Sequence, residues 1–157
     1  ISYYEEIFQE LSKTRNLEGA MDVHDEIVKN RSVMNLETME VDHLLEGLEI
    51  RLNQGGFKAD AVIIEDLDFS KVGADCSAKL KKMAKDKNLE VWISSSPKDG
   101  GEGVPAEAKA HLENLDVVLT LKVHGKHIHL ELEKAHGQAI QDPHLLLDPK
   151  TLLIVKE

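Results

Sequence analysis

Two clusters of polar residues each stand directly behind a run of apolar ones. Their types are those of metal and phosphate chemistry. Glu65, Asp66 and Asp68 follow the apolar stretch at 61–64, and Ser94, Ser95 and Ser96 close the stretch 89–93. A carboxylate that ends an apolar strand can hold Mg2+ through water or position a nucleophilic water. A hydroxyl ending the neighbouring strand can sense a phosphate. The same residue types also cap helices and turns, because strand ends are polar in most α/β proteins.

The surrounding elements must place these clusters side by side. Residues 61–69, AVIIEDLDF, begin with four consecutive apolar residues, two of them isoleucines and one a valine. That is the signature of a strand buried on both faces. Residues 74–86 have helical spacing, with Leu80 and Met83 on the apolar side, and 89–94, LEVWIS, reads as a second buried strand. Residues 94–103, SSSPKDGGEG, are a loop by composition. Pro105 suits the first turn of a helix running to about residue 114. Residues 115–123 and 127–134 read as strands joined by a turn at His124, Gly125 and Lys126. The tail offers short strands at 145–147 and 152–155 around Asp148 and Pro149.

Upstream, residues 2–13 carry Tyr4, Ile7, Phe8 and Leu11 at helical spacing, and 20–30 read as a second short helix, so that 1–30 form a helical lead-in. Residues 31–36 are a candidate strand. The clearest helix covers 37–53, where Val41, Leu44, Leu45, Leu48 and Leu52 form one stripe that Gly55 and Gly56 end. This order of elements predicts a single α/β domain over 1–157. A mostly parallel sheet is flanked by helices, with a C-terminal antiparallel hairpin extension. In open sheets of this kind ligands bind beyond the carboxyl ends of the strands.

In that order and spacing the segments AVIIEDLDF, LEVWISSSP and LDVVLTLKVHGKHIHLELEKAHG resemble the second half of a RecA/KaiC-like P-loop ATPase core. The likeness covers roughly residues 31–137. It implies a RecA-like, partial fold in which 61–64 lead into a Walker B acid, Glu65 or, with the alignment slipped by one, Asp66. These two would be the catalytic acids and the holders of Mg2+ through water. Ser95 or Ser96 would be the sensor of the nucleotide phosphate. Lys134, with His136, would be the basic finger that reaches the nucleotide of a neighbouring subunit. ATP and Mg2+ are the implied cofactors of the parent protein, and a homo-oligomer the implied assembly. The family usually has Asp at the Walker B position, and Glu65 departs from it.

The larger departure is that no G-x-x-x-x-G-K-[ST] run, whose amides and lysine would cradle phosphates, occurs in the 157 residues. The nearest stretch, 73–80, lacks the second glycine and the Ser/Thr. As given, the chain is expected not to bind or hydrolyse ATP by itself. It begins at Ile1 rather than Met, which suggests that a P-loop half has been lost from a longer protein. The alternative is a non-catalytic protein-interaction or regulatory α/β domain that kept the sheet and lost the nucleotide.

Composition bounds both readings. A net charge of −10 argues against a general binder of nucleic-acid backbones, which needs clustered Lys and Arg. The one cysteine, Cys76, makes an internal disulfide impossible and a reducing, cytoplasmic compartment the default. No apolar run approaches the roughly 20 residues of a membrane span, and no signal peptide is visible. His124, His127 and His129 gather at the hairpin turn and could offer a Zn2+ pair, but no third ligand has diagnostic spacing. They read as a solvated hairpin, and Cys76 as structural.

Overall fold

The computed structural model describes residues 5–6, 8–9, 12–13, 19–35, 43–53, 58–138, 143–151 and 153–155. Helix α1 spans Ala20–Lys29. Phe8, in the helical lead-in, sets its ring edge-on against the buried His24 of α1 at 5.4 Å. Residues 31–35 are irregular rather than a strand. Helix α2 covers Leu44–Asn53, so the expected helix is found over its second part, while 37–42 lie outside the described residues.

Strand β1 (Ala61–Ile64) pairs in parallel with β2 (Glu90–Ile93), in the register Ile63 opposite Trp92 and Ile64 opposite Ile93. Helix α3 (Cys76–Lys87) makes the crossover between them. It stops at Asn88, whose left-handed backbone lets the Leu89 amide reach back to the Ala84 carbonyl at 2.8 Å. Ile64 on β1, Leu67 and Phe69 just beyond it, Leu80 and Met83 on α3, and Leu44 and Leu48 on α2 form the core. Burial at helical spacing on α2 and α3 is what the sequence stripes predict. Burial of β1 on both faces is not observed. Ile63 is 67% exposed and its partner Trp92 54% exposed, so the face opposite the helices lies open. Four apolar residues in a row made the strand; they did not bring a second layer to cover it.

The helix expected after Pro105 is present at Ala106–Asn114, with 3-10 geometry. Tertiary contacts hold it: His111 packs against the Phe69 ring at 4.9 Å, and the Lys134 amine donates to the Leu112 carbonyl at 2.6 Å near its end.

The remaining strands form a separate antiparallel sheet in the order β3 (Val117–His124), β4 (His127–Ala135), β5 (Leu145–Leu147), β6 (Ile154–Val155). Gly125, at a φ of 61°, makes the two-residue turn of the β3–β4 hairpin. Leu119, Leu121 and Val123 stand opposite Leu132, Leu130 and Ile128. Leu145 and Leu147 on β5 and Ile154 on β6 continue the same face. Thr120, Lys122 and His124, opposite Glu131, His129 and His127, form the other.

The protein is thus mixed α/β, and a mostly parallel sheet is not supported. Among the described residues one pair of strands is parallel and four strands are antiparallel. The reason lies in the connections. The connection through α3 returns β2 alongside β1, the long connection at 94–116 leads into β3 without pairing it to β2, and β3 to β6 are joined by turns and short links. No described helix is long and apolar enough to cross a membrane.

Candidate functional site

The carboxyl ends of β1 and β2 are stitched together by the polar residues that follow them. The Ser94 amide donates to the Ile64 carbonyl at 2.9 Å, and the Leu67 amide to the Ser94 carbonyl at 2.8 Å. Between these bonds Asp66 turns into the left-handed region, at a φ of 52°, and its amide donates to the Ser94 hydroxyl at 2.9 Å. Asp is among the few side chains that adopt this backbone readily. The Ser95 hydroxyl donates to the Leu67 carbonyl at 2.8 Å. Leu67 and Phe69, both buried, anchor this loop from below.

Above the stitched loops lies a cleft of about 260 Å3. Asp66, Asp68, Ser95, Ser96 and Lys98 line it, with Pro105 and Glu107 at the 3-10 side. Its two aspartates are not equivalent. The Asp68 carboxylate accepts from the Ser70 hydroxyl at 2.7 Å and the Ser70 amide at 3.0 Å, and it pairs with the Lys98 amine at 3.1 Å. The hydrogen bond from the Ser70 side chain, then that from Lys98, hold its pKa down at about 2. Lys98 also donates to the Ser70 hydroxyl at 2.6 Å. Asp68 is therefore saturated, and it fixes Lys98 at the cleft. The Asp66 carboxylate makes no ion pair among the described residues.

Glu65 is exposed at the end of β1 and does not line the cleft. Lys134 lies on β4 with its amine on the Leu112 carbonyl at 2.6 Å and the Glu113 carbonyl at 3.4 Å. His136, just past β4, is exposed, in the left-handed region, and its amide donates to the Asp116 carbonyl at 2.7 Å. The structure thus brings Asp66, Ser95 and Ser96 together and leaves Glu65, Lys134 and His136 outside the cleft. Lys98, Ser70 and Glu107 do not stand behind an apolar run and carry no such mark in the sequence. One signal was present: Asp68 and Ser70, two positions apart, form an Asx-type turn. Lys98 sits in a loop whose composition carries no register.

At the hairpin, the His124 and His129 rings lie 4.8 Å apart. No group of three or more His, Cys, Asp or Glu suited to a metal occurs among the described residues. Cys76 is buried at the start of α3.

Comparison of the chain with protein-family models, with curated proteins and with solved structures returned no match.

Proposed function

We propose that the chain is the C-terminal part of a RecA/KaiC-like ATPase core, with Asp66 as the acid that ends its Walker B-like strand. The observation that carries this reading is the cleft at the carboxyl ends of a parallel pair joined by a crossover helix. It is lined by Asp66, which has no ion pair among the described residues, and by Ser95 and Ser96 just beyond the neighbouring strand. Strand ends in parallel pairs are where α/β proteins bind ligands.

Size narrows the reading. At about 260 Å3 the cleft falls below the roughly 300–1,000 Å3 of whole-ligand pockets. It suits the metal and terminal phosphate of a nucleotide rather than the whole molecule. The phosphate-cradling loop is then supplied from outside these 157 residues, and the chain alone does not turn over ATP. Mg2+, when bound, would neutralise charge on the phosphates, and Asp66 would hold it through water. Ser96 would orient the terminal phosphate for attack by water, since the Ser95 hydroxyl already donates to the Leu67 carbonyl and holds the loop. Lys98, placed by Asp68, would add positive charge at the rim. His136, exposed past β4, is the member of the basic pair able to reach a neighbouring subunit, since the Lys134 amine is held by its own chain.

A second reading, a non-catalytic interaction or regulatory α/β domain, is favoured by the open apolar faces of both sheets. Thermal unfolding of the complete gene product with and without Mg2+ and ATP separates the two. A real site stabilises by about 2.7 kcal/mol at a ligand concentration of roughly 100 times Kd. That shift should depend on Mg2+, and Asp66→Asn should abolish the Mg2+ dependence. No shift at millimolar nucleotide would reject the ATPase reading and leave the interaction domain.

A further inference from the structure

The four-stranded sheet is turned the wrong way for a protein that stands alone. An antiparallel sheet with one solvated face normally puts its apolar side chains inward. Here Thr120, on the polar face, is only 6% exposed, while Leu121 and Val123, on the apolar face, are 56% and 69% exposed. Among the described residues, none of the sheet's apolar side chains belongs to the buried core or to the partly buried residues packed against it. The face of Leu119, Leu121 and Val123, with their partners on β4, β5 and β6, carries no charged residue.

We propose that this face is the interface of a two-fold symmetric dimer, in which the apolar sheets of two copies pack face to face. Three observations select a second copy as the occupant. Leu119, Leu121, Val123 and Ile154 of the face are 39%, 56%, 69% and 52% exposed, a contiguous patch of roughly the few hundred Å2 at which an apolar surface marks an interaction site. It would supply most of the apolar core of a standard interface of roughly 800 Å2 per partner. A two-fold contact needs a surface complementary to itself. An uncharged apolar face meets that condition, whereas the rest of a chain of net charge −10 repels its copy. Finally, packed sheets sit about 10 Å apart with interdigitated side chains, and the alternating Leu, Val and Ile of β3, β4 and β5 supply the required pattern. The inference is independent of the nucleotide reading. The two-fold contact also differs from the head-to-tail contacts that build rings.

The 157-residue chain itself is the test material. Light scattering coupled to size exclusion should give twice the chain mass of 17.5 kDa at concentrations on the order of 100 µM. Because Leu121 and Val123 are exposed in the single chain, Leu121→Lys and Val123→Lys should leave the fold intact by circular dichroism. Each should weaken the dimer at least tenfold. His124→Lys, on the opposite face of β3, should leave it unchanged. A monomeric wild type overturns the proposal. So does a dimer that survives both Lys substitutions, or one that breaks only with Val118→Pro, which would point to pairing along the β3 edge. Equal loss with His124→Lys would count against it as well.

Discussion

The parallel pair β1–β2 and the antiparallel sheet β3–β6 are built from similar apolar runs, yet they are held together by different means. The pair brings together strands distant in sequence, and it exists because α3 and α2 pack on one of its faces. Its carboxyl ends meet in a cleft that also draws in Lys98 and Glu107. The antiparallel sheet is joined by turns, owes its order to neighbouring contacts, and among the described residues adds no side chain to the hydrophobic core. Polar loops gather where long-range packing brings separate segments together. The locally made sheet is left with a surface to offer.

That contrast can be broken most forcefully from the core. Leu80→Ala removes a buried side chain beneath the parallel pair and should cost about 2–5 kcal/mol. Chemical denaturation followed through Trp92, the only tryptophan and a reporter on that pair, should show the loss. A smaller effect is expected at the link between α3 and the 3-10 helix. The Ser77 hydroxyl lies 3.1 Å from Nδ1 of the buried His111 and accepts from the Asn114 side-chain amide at 3.2 Å. Ser77→Ala should therefore cost about 1–3 kcal/mol, as a buried polar group is left unsatisfied.

The cleft allows a finer test through pH. Asp68 is held at about 2, below its unfolded value, so its contribution to stability is fully present above pH 4 or so. It should fade as pH falls from there through about 2. Ser70→Ala and Lys98→Met should each raise the Asp68 pKa toward the ordinary carboxylate value, because the Ser70 side-chain hydrogen bond and then the Lys98 amine hold it down. Titration of the carboxyl resonance by NMR measures both. The smallest effect should come from Lys81→Ala, which cuts the exposed 2.6 Å bridge to Asp116 between α3 and the start of β3. Such surface pairs contribute little, and the thermal midpoint should hardly move.

Much of this architecture was legible in the chain. Strands at 61–64, 90–93, 117–124 and 127–135 and the helix at 76–87 fall within a residue or two of the periodic pattern. The Gly125 turn does too. What could not be read was coverage. A run such as Ala61–Ile64 encodes a preference for burial but not the layer that provides it, and Ile63 remains exposed. Pairing was equally hidden, because β3 carries no mark that says whether it joins β2 or only β4. At the cleft, Asp66, Ser95 and Ser96 stood out in the chain by their position behind apolar runs, and all three line it. Lys98 was not, because a loop residue is placed by tertiary geometry that has no period in sequence. The choice between Glu65 and Asp66 also needed the backbone, since only the left-handed turn at Asp66 decides which carboxylate reaches the cleft.

The account therefore rests on Asp66 rather than its neighbour. ATP turnover by the complete gene product, compared between Asp66→Asn and Glu65→Gln, tests it most directly. The expected result is a loss of at least tenfold in turnover for Asp66→Asn, with nucleotide binding retained, and near-normal turnover for Glu65→Gln. Unchanged turnover in Asp66→Asn, or loss confined to Glu65→Gln, would contradict it.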